Sequence, residues 1–235
     1  MLKILFLDFD GVLFDTVDEA YEVCIKTDFY INKTFSITSK TDFKKYRPYV
    51  GPAWNYYYVM EAIINDIDIS KYLPFKINNK TIEFENSFFN SRDKMKTNNY
   101  FEWLQLNKKY NFLDMLKKEI IDTNVIIYII TTKDKNTVQN ILKAFNVNFI
   151  EDKNILGKEI FNKFGTKKNI IENILGKYIN DKAIFIDDLY EHLEPCKGIN
   201  NLKLIQANWG YVHDNEKSPY LLNEHETIEK LKGKI

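Results

Sequence analysis

The sequence predicts an α/β fold: a Rossmann-like parallel sheet core with an inserted, mainly α-helical domain. Three observations predict it. Short, continuously apolar runs recur without alternation, as strands buried on both faces require. Amphipathic helical patterns stand between them, which calls for helices covering both faces of a sheet. The stretch from Thr16 to Leu106 lacks strong strand runs and is dense in Tyr, Phe and Asn. On this reading, residues 1–15 and 107–235 form the core and residues 16–106 the insertion.

Leu2–Leu7 is the first buried strand, apolar throughout and closed by Asp and Gly. "NVIIYII" (Asn124–Ile130) is the second, rich in β-branched residues and ended by Thr131 and Thr132. "KAIFI" (Lys182–Ile186) is the third, ended by Asp187 and Asp188. "LKLIQA" (Leu202–Ala207) is the fourth, followed by Asn208, Trp209 and Gly210. "VNFI" (Val147–Ile150) is a minor further strand candidate. Helices are expected over Asn111–Ile120, Asp134–Phe145 and Thr166–Ile179. In the last, Ile170, Ile171, Ile174 and Leu175 form one apolar face. "EHETIEKLKGKI" reads as a short surface helix. In the insertion, "DEAYEVCIKTDFYI" and "AWNYYYVMEAIIND" carry helical patterns.

Composition narrows the function classes. The 235 residues balance 33 basic against 33 acidic side chains. A nucleic-acid binder would show a clustered basic excess, and a polybasic membrane patch is equally unsupported. Cys24 and Cys196 lie far apart and outside any CxxC spacing, so neither a disulfide framework nor a zinc site is expected. A reducing, cytoplasmic setting fits best. The opening apolar run is too short for a secretory leader and ends in carboxylates.

The chemistry sits at the strand ends. In an open parallel sheet, ligands bind beyond the carboxyl ends of the strands. Asp8 and Asp10 follow the first strand, Thr131 the second, and Asp187 with Asp188 the third. Two carboxylates about 4 Å apart repel by about 4 kcal/mol at an effective dielectric of about 20. Four of them need protons or a cation among them. Carboxylate donors select a hard ion, and Mg²⁺ is the natural choice where phosphate oxygens complete the shell. The three histidines are scattered in sequence and show no ligand spacing. Residues i and i+2 of an extended segment point to one side, so Asp8 and Asp10 can serve one substrate in different roles. Gly11 lets the chain turn and lets backbone amides approach an anion. One carboxylate can attack phosphorus; the other can protonate the leaving oxygen and then activate water.

"LDFDGVLFDT" resembles the first motif of the haloacid dehalogenase-like hydrolase superfamily, DxDGxxxDT. "IYIITTK" is similar to its second motif and "IFIDDLYEHL" to the double-acid form of its fourth. "GTKKNII" lies where the third-motif lysine is expected. "ANWGY" resembles a segment of phosphoglycolate-phosphatase-like members, beside which stands the β-phosphoglucomutase-like branch. The resemblance implies Asp8 as nucleophile and Asp10 as acid/base. It implies Gly11, Thr131, Thr132 and Lys167 at the phosphoryl group. Mg²⁺ would be held by Asp8, Asp187, Asp188 and the Asp10 carbonyl. The insertion would be a helical, C1-type cap that closes over the site. The third motif lacks a Lys-Pro signature, so Lys168, Lys158, Lys163 and Lys153 compete with Lys167.

These readings converge on a Mg²⁺-dependent phosphatase acting on a small phosphorylated metabolite through an aspartyl-phosphate, as a monomer or homodimer. No nucleic acid or membrane partner is expected. The alternatives are a phosphomutase of the same fold and a non-catalytic binding or regulatory protein. Arg47, in "RPYVGPAWNYYYVM", reads either as an anion ligand in the cap or as ordinary cap structure. Trp209 reads as a packing residue, and Asp15 and Thr16 as ties for the turn into the insertion.

Overall fold

The computed structural model describes residues 2–36, 38–120, 123–178, 180–213 and 217–233. Among the described residues, eight strands occur in this order: β1 (Leu2–Leu7), β2 (Phe14–Asp15), β3 (Lys108–Lys109), β4 (Ile126–Ile130), β5 (Ile155–Leu156), β6 (Lys182–Asp187), β7 (Leu202–Ala207) and β8 (Leu221–Leu222). The helices that matter below are α1 (Val17–Ile25), α2 (Ser39–Tyr46), α3 (Tyr56–Ile64), α4 (Asn79–Asn98), α5 (Tyr100–Gln105), α6 (Asn111–Ile120), α7 (Lys135–Ala144), α8 (Lys158–Phe164), α9 (Lys167–Leu175), α10 (Tyr190–Leu193) and α11 (Glu224–Leu231). The chain divides into two compact units, Met1–Asp15 with Lys108–Ile235, and Thr16–Asn107.

In the first unit six strands form one sheet in the order β5-β4-β1-β6-β7-β8. Every pairing in it is parallel. Ile4 to Leu7 and Ile184 to Ile186 are fully buried, which is why these runs show no polar alternation. From β1 the chain crosses to β4 on one side; from β6 it leaves for β7 on the other. The order therefore reverses between β1 and β6, the kind of position at which open α/β sheets bind ligands beyond the strand ends. The short antiparallel pair β2–β3 stands apart, matching Phe14 with Lys109 and Asp15 with Lys108.

The helices start where their caps dictate. Asp134 accepts the Thr137 amide at 2.8 Å to begin α7, and Thr166 accepts that of Asn169 at 3.2 Å to begin α9. Helix α9 stops at Leu175, short of the expected Ile179; Gly176 follows, and Ile179 lies outside the described residues. Strand β4 begins at Ile126 rather than Asn124. "VNFI" is not a strand. Its first residue closes helix α7, with the Val147 amide donating to Leu142 O at 2.9 Å. The edge strand is β5, pairing Ile155 with Ile129 and Leu156 with Ile130.

The second unit contains helices and no strands among its described residues. Its density of aromatic residues builds a core: Phe43 stacks on Tyr56 at 5.2 Å, and Tyr56 on Phe88 at 5.5 Å. A buried ion pair crosses it, with Arg92 donating to both carboxylate oxygens of Glu19 at 2.6 and 3.0 Å. Trp103 Nε1 adds a third bond to Glu19 at 3.1 Å. The long α4 has no counterpart among the helices read from the sequence. Its buried side, which includes Phe84, Phe88, Ser91 and Arg92, is too mixed to show an apolar stripe. Arg47 is buried, donates to Val50 O at 2.7 Å and lies over the Tyr56 ring, which places it in this unit's core. Among the described residues, no helix is long and apolar enough to cross a membrane.

Candidate active site

Asp8 and Asp10 leave β1 at the centre of the sheet, with Phe9 between them turned into the core and stacked on Phe14 at 5.0 Å. The β1–β6 register pairs Leu7 with Ile186. Asp8 therefore stands level with Asp187, and its amide donates to Ile186 O at 2.9 Å. Asp8 is 6% exposed and Asp187 fully buried. Lys167, at the first turn of α9, joins them: its Nζ lies 2.9 Å from Asp8 Oδ2 and 2.7 Å from Asp187 Oδ2. Of the competing lysines, Lys163 and Lys153 are exposed, and Lys168 and Lys158 partly so. Lys167 is the one that touches the aspartates.

Asp188, the residue after Asp187, is held by a different set of neighbours. Its Oδ2 accepts the Tyr211 amide at 2.8 Å. Gly11 has φ +84°, and a Cβ there would collide with the Asp188 carboxylate. The glycine supplies both the left-handed turn and the close approach. The "ANWGY" segment thus clamps the site: Tyr211 holds Asp188, and Trp209 Nε1 donates to Val12 O at 3.1 Å while its ring packs on Phe112. Asp15 accepts the Tyr211 hydroxyl at 2.9 Å.

Thr131 is buried at the end of β4, where its Oγ1 accepts the Lys133 amide at 3.2 Å. Thr132 follows, half-buried. Two neighbours escaped the sequence reading. Lys133 Nζ lies 3.1 Å from Asp10 Oδ1. His192 Nδ1 lies 3.1 and 3.2 Å from the two Asp187 oxygens. The histidines are scattered along the chain, yet α10 brings His192 back over the end of β6. The five-residue step from Asp187 across a strand–helix turn was the available signal.

Burial and mutual repulsion shape the charges of this cluster. Burial pushes the Asp8 carboxyl up to about 6; Asp187 and Asp10 add to the rise, and Lys167 and His192 oppose it. Burial also acts upward on Asp187, but Lys167 and then His192 outweigh it and hold that group at about 2. Burial acts downward on Lys167, and the charges of Asp187 and Asp8 more than reverse it. Lys167 pairs with Asp8 and Asp187, and Lys133 with Asp10, while Asp188 is held by the Tyr211 amide. Carboxylate oxygens clustered at these strand ends are the donors a hard divalent ion prefers. One ligand atom each from Asp8, Asp187 and His192 falls within 4.8 Å of the others.

No family model matches the chain, and no curated protein matches it in sequence. Solved structures do match in shape. A predicted phosphatase from Clostridium acetobutylicum aligns with 98% of this chain and 98% of its own, at TM-score 0.67 and 19% identity. A predicted phosphoglycolate phosphatase from Haemophilus somnus aligns over 99% and 98%, at 0.65 and 16%. A haloacid dehalogenase-like family hydrolase from Streptococcus pneumoniae aligns over 98% of both chains, at 0.63 and 15%. The chain has the haloacid dehalogenase-like fold. Within that fold the two acidic strand ends, β1 and β6, are neighbours at the point where strand order reverses. That adjacency brings Asp8, Asp187 and Lys167 into one cluster although 179 positions separate the aspartates in the sequence.

Proposed function

We propose that this chain is a Mg²⁺-dependent phosphatase acting on a small phosphorylated metabolite through an aspartyl-phosphate on Asp8. The observation that carries the reading is the Lys167 ammonium bonded to both Asp8 and Asp187 at the adjoining ends of β1 and β6. A phosphoryl group entering there meets a carboxylate nucleophile already held by a cation.

In the first step an Asp8 oxygen bonds to phosphorus as the ester P–O bond breaks. Asp10 gives its proton to the departing oxygen. In the second, water bonds to phosphorus while Asp10 takes the water proton, and the Asp8–phosphorus bond breaks to release phosphate. Lys167 neutralises charge on Asp8 and on the phosphoryl oxygens; Thr131, Thr132 and the Gly11 turn line the same strand ends. Mg²⁺ would supply Lewis-acid polarisation of a phosphoryl oxygen; Asp8, the Asp10 backbone carbonyl, Asp187 and Asp188 are the groups that would hold it. The inserted helical unit serves as the cap that selects the substrate.

Phosphate release from a panel of small phosphate esters, with and without Mg²⁺, tests this for the native protein and for Asp8→Asn. Turnover that needs Mg²⁺ and vanishes in the variant is expected. Turnover that survives in Asp8→Asn, or no turnover of any ester by folded native protein, overturns the reading.

A further inference from the structure

Lys133 holds a charge that the reaction as written leaves unused. The residue is 5% exposed, although it lies in a loop between β4 and α7, where a lysine usually extends its ammonium into water. A buried ammonium is costly unless it is paired, and its Nζ lies 3.1 Å from Asp10 Oδ1. The backbone is held on both sides of the residue. The Lys133 amide donates to Thr131 Oγ1 at 3.2 Å, and its carbonyl accepts the Lys158 amide at 2.9 Å. Gly157 passes so close that a Cβ there would come within 2.9 Å of Lys133 O and 2.6 Å of the Lys135 nitrogen. Such multiple anchoring is what fixes a functional side chain to within a fraction of an ångström. The two buried lysines divide the aspartates: Lys167 serves Asp8 and Asp187, and Lys133 serves Asp10.

We propose that Lys133 is the positioning residue for Asp10, aiming its carboxyl at the leaving oxygen of the ester. This rests on the phosphatase reading. The transferable proton is carried by the Asp10 carboxyl that Lys133 holds. As the Asp8–phosphorus bond forms and the ester P–O bond breaks, that proton passes from Asp10 to the leaving oxygen. Asp10 is left as a carboxylate with Lys133 as its counter-ion. The ion pair is thus strongest once the proton has moved, which favours the transition state over the bound ester.

The test compares two esters by kcat/KM, which reports the first phosphoryl transfer. An alkyl phosphate needs its leaving oxygen protonated; p-nitrophenyl phosphate releases a stable anion. Lys133→Met should lose about a hundredfold on the alkyl ester and about threefold on the aryl ester. In an Asp10→Asn background the same substitution should add less than about twofold on either, because a residue acting through Asp10 has nothing left to position. If Lys133→Met does not melt as a folded protein, Lys133→Gln is read in its place. Equal losses on the two esters, or a raised KM with kcat unchanged on both, would overturn the proposal, the second outcome making Lys133 a ligand of the substrate phosphate. A further large loss in the Asp10→Asn background also overturns it. Folded native protein that hydrolyses no ester of the wider panel overturns the phosphatase reading and this one together; an active native protein with equal losses overturns this one alone.

Discussion

The Lys167 ammonium lies 2.9 Å from Asp8 Oδ2, and both side chains are almost wholly out of contact with water, at 1% and 8% exposure. Neither charge would be tolerated there alone. Removing one partner of a buried pair typically costs about 3–5 kcal/mol, because the other charge is left uncompensated. Lys167→Met should therefore lower stability by an amount of that order, read by urea unfolding. It should also cut phosphate release by about a hundredfold or more, since the cation that neutralises nucleophile and phosphate is gone. A variant that keeps native turnover would remove Lys167 from the mechanism.

The raised Asp8 carboxyl gives a pH signature. Its folded value of about 6 stands above the ordinary 3.8, chiefly through burial. A carboxyl raised in this way binds its proton more tightly in the folded protein. Its contribution is full below the unfolded value and is lost as pH rises through about 6. Without added divalent ion, Asp8→Asn should therefore gain about 1–3 kcal/mol on the native protein as pH rises from about 4 to about 7. Asp187, held at about 2, works in the opposite sense, and its contribution is lost only as pH falls from the ordinary carboxylate value through about 2. Paired urea titrations across this range check the sign for Asp8.

Gly11 and Asp188 are in contact that no side chain at position 11 permits. Gly11→Ala meets both the positive φ and the Asp188 carboxylate, at a cost of about 1–3 kcal/mol. The displaced carboxylate should raise the Mg²⁺ concentration needed for half-maximal turnover by about tenfold or more. A melting curve and a Mg²⁺ titration separate the two effects. An unchanged Mg²⁺ requirement would take Asp188 out of the ion's surroundings.

In the inserted unit, the Glu19–Arg92 pair is sealed, with side-chain exposures of 0% and 4%. Glu19→Gln should destabilise this unit by about 3–5 kcal/mol by removing the carboxylate charge that faces the buried guanidinium. Glu19→Leu combined with Arg92→Met should cost clearly less, because no buried charge is stranded. Thermal unfolding of the two variants decides the order.

Much of this was legible in the sequence for a physical reason. Strands buried on both faces advertise themselves as unbroken apolar runs, so β1, β6 and β7 could be read almost to the residue. Two-residue strands such as β5 and β8 carry no such signal. "VNFI" misled because apolar residues that close a helix look the same as an edge strand. At the site, Asp8, Asp10, Asp187 and Asp188 stand at strand ends, where period and position expose them. Lys133 and His192 do not. Lys133 is recruited by a loop whose path depends on the distant Gly157 approach, and His192 by the short α10 turn that follows β6, which no helical period marks. Arg47 shows the converse: a charge inside an aromatic run looks like a ligand, and the Tyr56 ring and Val50 carbonyl make it part of the core.

The most direct test of the central claim is to catch the covalent intermediate. The native protein, mixed with its best ester and Mg²⁺, is quenched in acid during turnover, digested and mapped by peptide mass spectrometry. The account predicts one added phosphoryl group on the peptide that begins this chain, located at Asp8 and absent from Asp8→Asn. A phosphoryl group on another residue, or steady turnover with none on Asp8 at any quench time, would contradict it.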